Sequence, residues 1–491
     1  MQVNLLAPIF ESDKIMPTSV YRQLTVTLLV CLCVLGGRIQ ADAPNVLFLL
    51  SDDHSYPYVG CYGDKNVTTP NLDRLAQRGV AFHRFFTSAP QCVLSRAALM
   101  TGRSPVAARM IRFSSPLPAD EVALPELLRD RANYFTGICG RGFHLDGSAN
   151  VPAAIERVFR EHAMRTFEQR VDYLRSGTDV EVVSRVAEFL DLRPADRPFF
   201  MWANFSDPHH IWNADASFRP APISLSLPGH LPDLPGVREQ LADYCAEINR
   251  LDQRVGSVLE LLRSRGLLES TMIVFAGDNG AALPHGKGSL YDPGSNCPFL
   301  VAWPGHCIEG SHSSALISGE DLAPSILEAA GIEIPANMTG KSFLPLLNGN
   351  HDEQREYVFV ARGPHGSAPV RVEASNAPYD MARAVRNQRY KFIYNCTPWL
   401  PYGPVDSAGG DCWRQMVAAD AAGELSPELH RAYFVSPRPV YELYDLESDP
   451  SELTNLSGRE ELREVERQLR TALAEKMVLE FDHLPLPDLL E

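Results

Sequence analysis

The chain has 491 residues, 45% hydrophobic and 22% charged, enough apolar material for a sizeable core, which excludes disorder as its default state. Its formal net charge of −16 makes a surface that repels nucleic acid and anionic membranes, so neither is expected as a partner.

At the N-terminus, Arg22 precedes the apolar run Leu24–Leu35, and Gly36, Gly37 and Ala41 follow it. Residues 1–41 read as a secretory signal, too short for a comfortable membrane span, with Met16 as an alternative start. The protein is therefore expected to be exported: periplasmic or extracellular, or lysosomal in a eukaryote. Removal of the signal takes away Lys14, Arg22 and Arg38 against Glu11 and Asp13, leaving the remainder one unit more negative. Cysteines 61, 92, 139, 245, 297, 307, 396 and 412 remain, too scattered for a disulfide scaffold or paired zinc knuckles. Cys396 and Cys412 are the one pair expected to join.

In chain order, NVLFLLS (45–51), PFFMWANF (198–205), TMIVFAG (271–277) and PFLVAW (298–303) are near-continuous apolar runs, the pattern of strands buried on both faces of a parallel sheet. Between the second and third, Val237, Leu241, Tyr244, Ile248, Leu251, Val255, Val258 and Leu262 recur at spacings of three and four and predict one long amphipathic helix, stopped near Gly266. Strands alternating with helices predict an α/β/α sandwich around a large, mostly parallel sheet over residues 42–375. After about residue 375 the texture changes. YKFIYN and VYELYDL read as short strands, Pro398–Gly410 as a surface loop, and REELREVERQLRTALAEKM as a charged helix. These predict a smaller α+β domain with a short antiparallel sheet over residues 376–491.

In open α/β sheets ligands bind beyond the carboxyl ends of the strands. The first apolar run ends in Asp52 and Asp53, the third in Asp278 and Asn279. Carboxylates with an amide oxygen favour a hard cation, Ca²⁺ or Mg²⁺. Basic and titratable groups follow other run ends or neighbouring loops: Arg96 after Cys92, Arg141 and His144 after YFTGIC, His209 after the second run, and Lys287 after DNG. A cationic pocket facing a metal suits a tetrahedral oxyanion, sulfuryl or phosphoryl.

The segments PNVLFLLSDDHS, TTPNLDRLAQRGVAFHRFF, CVLSRAALMTGR, FSDPHH, AGDNG, GKGSLYDPG and ELYDLESDPSELTNL together resemble the sulfatase family of the alkaline phosphatase superfamily, over nearly the whole chain after residue 41. LYDPGSNCPFLV and RAVRNQRYKFIYN look most like the heparan N-sulfatase (sulfamidase) branch. The resemblance implies a calcium ion, magnesium less so, held by Asp52, Asp53, Asp278, Asn279 and modified Cys92. It implies that Cys92 becomes formylglycine through a formylglycine-generating enzyme. One hydroxyl of the hydrated aldehyde attacks sulfur; the other loses its proton to expel sulfate.

By the same resemblance, Arg96 stabilises the formylglycine oxygen, Arg141 and Lys287 bind sulfate oxygens, His144 assists the diol, and His209 protonates the leaving group. His365 and Arg383 are expected to touch the sugar. The substrate implied is a sulfated saccharide, with N-sulfoglucosamine as the leading choice, and a homodimer is left open. Leu94 departs from the family's C-x-P-S-R motif, where proline pre-orders the peptide for modification. Two alternatives stand: a phosphate or phosphonate ester hydrolase of the same superfamily, and, because Leu94 replaces the motif proline, a non-catalytic glycan-binding pseudo-sulfatase.

Overall fold

A computed structural model describes residues 43–113, 116–146, 157–159, 161–350, 355–365 and 379–490; the expected signal segment 1–41 lies outside them. The first sheet is built from β1 (Asn45–Ser51), β2 (Val80–Phe86), β3 (Phe135–Gly140), β4 (Tyr173–Ser176), β5 (Phe199–Asn204), β6 (Thr271–Gly277), β7 (Asn296–Ala302), β8 (Ser311–Ser313) and β9 (Ile317–Ser318). Its order is β4-β3-β5-β1-β6-β7-β2-β8, with β9 also paired to β2.

From β4 to β6 every pairing is parallel. β7 runs antiparallel to both β6 and β2, which corrects the expectation that all four apolar runs are parallel strands. Burial on both faces produces the same continuous apolar pattern in either direction, so the run alone carries no strand polarity.

The predicted long helix spans Pro235–Ser264, and all eight residues of its apolar stripe are buried. Leu251, Val255, Val258 and Leu262 pack with Leu47 and Leu49 of β1 and Phe275 of β6 in one core cluster. Full burial of such side chains is worth about 1.5–3 kcal/mol each. This packing fixes the central pair of strands, β1 and β6, on which the site is built. Gly266, at φ +68°, follows the helix end as expected.

The second sheet is antiparallel throughout, in the order β10 (Val358–Arg362), β11 (Ala382–Arg386), β12 (Tyr390–Asn395), β13 (Tyr441–Asp445). Its first strand comes from upstream of residue 376. The helix Arg463–Leu479 covers it, with Leu469, Leu473 and Met477 packed on Val385, Phe392 and Leu443. Asp292, just before β7, ties the two sheets together. It accepts from Arg386 at 2.8 Å and from Lys391 at 2.5 Å, and Lys391 also reaches Glu452 at 2.7 Å.

Cys396 and Cys412 are both free thiols, correcting the expected disulfide. Cys396 packs beside the second-sheet core, whereas Cys412 belongs to a separate cluster with Trp413 and Tyr433.

Candidate active site

β1 and β6 are neighbours in register, Ser51 opposite Gly277, so the residues that follow them emerge side by side. Asp278 N–H donates to Ser51 O at 3.0 Å, and Asp53 N–H donates to Asp278 Oδ1 at 3.0 Å. Asp53 is left-handed, at φ +65°, which turns the chain sharply at the strand end. Asn279 Nδ2 donates to Asp53 Oδ1 at 2.8 Å, while its own Oδ1 is buried without a hydrogen-bond partner among the described residues.

Cys92 opens the helix Cys92–Thr101, which is buried along its whole length. Its Sγ stands 3.3 Å from Asp52 Oδ1 and 3.9 Å from Asp53 Oδ1. Burial, then the charge of Asp52, pushes the thiol well above its ordinary range, so Cys92 is protonated and a poor nucleophile as it stands. One turn on, Arg96 is fully buried. It donates from Nε to Asp278 Oδ2 at 3.0 Å, from Nη2 to Asp52 Oδ2 at 2.9 Å, and from Nη1 to Gly142 O at 3.0 Å.

Leu94 lies in the first turn of this helix and is buried, near the position where a Cβ on Gly363 would sit.

Arg141 follows β3, and its Nε lies 2.9 Å from Asp52 Oδ2. Burial alone would raise Asp52, but Arg141 and then Arg96 outweigh it and hold the carboxyl well below its usual range. Lys287 Nζ bridges Asp53 Oδ1 at 2.9 Å and Asp406 Oδ2 at 2.7 Å. His209, after β5, has Nε2 3.8 Å from Asp53 Oδ2 and 4.0 Å from Asp406 Oδ2. Burial, then Lys287, pushes His209 down to about 4; burial, then Arg96, pushes His144 down to about 3. His144 Nδ1 is buried without a partner among the described residues. His365 Nδ1 meets Gln91 Nε2 at 3.1 Å, and its Nε2 lies 3.9 Å from Asp406 Oδ1.

Asp52, Asp53, Asp278, Asn279, Cys92, Arg96, Arg141 and Lys287 thus form one contact network, with His209 and His365 beside it and His144 within electrostatic reach. Arg383, expected at the sugar, is not among these contacts. It lies on β11, is bidentate to Asp482 at 2.5 and 2.9 Å, and donates to Arg362 O and Ala382 O.

Asp406 is a site residue that the sequence motifs missed. It sits in the Pro- and Gly-rich loop, at φ +64°. The loop approaches because residue 288 is glycine: a Cβ there, at φ +78°, would lie 2.4 Å from Val405 Cγ2.

Asp52, Asp53, Asp278 and Cys92 place ligand atoms within 4.8 Å of one another. Burial pushes Asp53 up to about 7 and Asp278 up to about 6 despite the nearby cations, so a further positive charge at the cluster would hold both carboxylates ionised. The three carboxylates with the orphaned Asn279 oxygen give an oxygen donor set that fits a hard dication, whereas the Cys92 sulfur is a soft neighbour to it. Asp53, His209 and Asp406 also converge, but the Lys287 ammonium already bridges two of them.

An acidic, cation-fitting cluster at the carboxyl edge of parallel strands, walled by buried arginine, lysine and histidine, has the make-up of a metal-dependent hydrolase site for a tetrahedral oxyanion. Residues 44–332 match the family model described as Sulfatase, and residues 285–397 match that of the N-sulphoglucosamine sulphohydrolase C-terminal region.

The chain belongs to the sulfatase family, within the alkaline phosphatase superfamily, and is a sulfuric ester hydrolase or sulfamidase by class. The family generally uses formylglycine and a divalent metal. Human N-sulphoglucosamine sulphohydrolase is 28% identical over 89% of this chain and 90% of its own length. An ulvan-active sulfatase of Formosa agariphila is 28% identical over 91% of this chain and 77% of its own. A solved structure described as a complex with its substrate D-glucosamine-2-N,6-O-disulfate shares the fold, with a TM-score of 0.67 at 18% identity, covering 90% of this chain and 99% of that one.

Proposed function

We propose that this protein is an exported sulfatase of saccharides that removes the N-sulfate of N-sulfoglucosamine, with formylglycine at position 92 and Ca²⁺ held by Asp52, Asp53, Asp278, Asn279 and residue 92. The observation that carries the reading is the placement of Cys92 Sγ 3.3 Å from Asp52 inside a buried acidic cluster walled by Arg96, Arg141 and Lys287. The substrate choice rests on the C-terminal family model and on likeness to the human sulphohydrolase over most of both chains. A division at residue 375/376, between a catalytic part and a smaller C-terminal part, belongs to the same reading.

As a hydrate, formylglycine supplies one hydroxyl to attack sulfur and a second whose proton loss releases sulfate. The dication supplies Lewis-acid charge beside the reacting oxygens. This chain's own groups do the rest. Arg96, pinned by Asp52, Asp278 and Gly142 O, holds residue 92 in a fixed positive field. Arg141 and Lys287 orient the sulfate oxygens. His144, neutral and with Nδ1 unpartnered, accepts a hydroxyl proton at position 92. His209 presents Nε2 to the departing nitrogen or oxygen and delivers a proton there most readily at acidic pH, since burial and Lys287 hold it down to about 4.

A second reading is favoured by Leu94: an unmodified, buried thiol would leave a glycan-binding protein without turnover. Peptide mass across residue 92, beside sulfate release from N-sulfoglucosamine and from a phosphonate monoester, decides. Formylglycine with sulfate release supports the sulfatase. Intact cysteine with saccharide binding and no turnover supports the second reading. Faster phosphonate cleavage would replace both.

A further inference from the structure

The pocket has two chemically different sides. Its floor is fully buried and carries Asp53, Asp52 and Arg96, whereas the Asp406 side chain is about a third exposed, at 32%. Asp406 therefore stands toward the mouth, on the side where the body of a substrate remains in water. Its Oδ2 pairs with Lys287 at 2.7 Å and lies 4.0 Å from His209 Nε2. Its Oδ1 stands 3.9 Å from His365 Nε2, outside hydrogen-bonding reach, and keeps lone pairs for a ligand.

A carboxylate here is of no use to a sulfate group, which it repels. Beyond its pair with Lys287, it suits what leaves. An atom hydrogen-bonded to His209 Nε2 sits about 3 Å from it, on the wall that Asp406 lines.

The two reaction types release different charges. Hydrolysis of a sulfate ester breaks S–O. The electron pair stays on oxygen, one proton is taken up there, and a neutral alcohol departs with hydrogensulfate. Hydrolysis of a sulfamate breaks S–N. The pair stays on nitrogen, which takes one proton as the bond breaks and a second from the water consumed, so that R–NH–SO₃⁻ and H₂O become R–NH₃⁺ and SO₄²⁻. Only the second reaction forms a cation at the leaving atom.

We propose that Asp406 is a specificity-determining residue that pairs with the ammonium released from a sulfamate and so selects N-sulfated over O-sulfated saccharides. This rests on the sulfatase reading above and sharpens its substrate class. The loop is shaped for the role. Val405 fills the space over Gly288, and the left-handed Asp406 directs its carboxylate at Lys287, where asparagine could keep the backbone but not the charge.

The test has one arm that needs no turnover. Calorimetric titration of the purified full chain at mildly acidic pH, with glucosamine and with glucose, should show glucosamine binding about tenfold or more tightly, the range of a charge-assisted hydrogen bond. Asp406→Asn should remove that difference and Asp406→Glu should restore part of it. In the second arm, kcat/KM for N-sulfoglucosamine should fall in Asp406→Asn about tenfold more than kcat/KM for 4-nitrophenyl sulfate. Equal falls on the two substrates, or an amine preference that survives Asp406→Asn, would overturn the proposal. Wild-type protein that releases sulfate from neither substrate but keeps an Asp406-dependent preference for glucosamine would sink the sulfatase reading alone.

Discussion

Arg96 shows what a single buried charge does in this protein. It is flanked by Asp52 and Asp278, all three without solvent contact, so deletion strands two carboxylates in a low-dielectric interior. Arg96→Ala should cost about 3–5 kcal/mol in urea denaturation, the price of breaking a buried pair. Added Ca²⁺ should recover part of that loss in the variant. A variant as stable as the parent without metal would mean that the cluster does not need the guanidinium.

Leu94 gives a second prediction. Its first-turn position lacks an obligatory intrahelical donor, so proline fits the backbone there. The lost buried side chain should cost about 1–3 kcal/mol. Leu94→Pro should therefore raise the fraction of formylglycine found by peptide mass while lowering thermal stability. A rise in both quantities would show that Leu94 packs without benefit.

At the scale of elements, the strand ends were legible and the loops were not. Apolar runs broken by Asp-Asp and Asp-Asn-Gly locate the ends of β1 and β6 from composition alone, because both faces of each strand are buried. The direction of β7 was not legible, since its run is as apolar as a parallel strand's. Asp406 was missed because it sits in an aperiodic loop, and its meaning comes only from contact with Lys287, far away in sequence. The partner of Arg383 was hidden for the same reason: Asp482 lies 99 residues away and signals nothing locally. The loop that carries Asp406 also yields a prediction. Gly288→Ala places a Cβ against Val405 at positive φ, so it should destabilise by more than about 1 kcal/mol and drive Asp406 away from Lys287. Its kcat/KM for N-sulfoglucosamine should then fall more than its kcat/KM for 4-nitrophenyl sulfate. An unchanged ratio would detach the loop from substrate choice.

At the scale of the molecule, the described residues from 44 onward form one compact unit, and Asp292 is one place where the two sheets meet. Removing it leaves Arg386 and Lys391 without their shared anion, so Asp292→Ala should destabilise the whole unit by about 3–5 kcal/mol in a single transition. Two separated transitions in the parent would mean that the sheets unfold independently.

Acid should act on the unit as a whole too. Burial pushes His230 down to about 4 from 6.5. For a base with a lowered folded pKa, the stabilisation is complete above 6.5 and drains away as pH falls toward 4. That is worth roughly 3 kcal/mol across this window. His230→Asn should flatten the corresponding limb of the stability–pH curve, and an unaltered limb would exclude this residue as its source.

The burial of Cys92 also has a temporal consequence. Its side chain is 1% exposed and its backbone is already wound into the first turn of a helix, so no converting enzyme can grip an extended peptide around it once the chain has folded. Conversion of residue 92, as proposed above, would therefore race folding during synthesis, and each molecule would keep the outcome. A finished population would be a fixed mixture of converted and unconverted copies that later treatment cannot shift. Its specific activity would report how fast the chain was made relative to the supply of the converting enzyme.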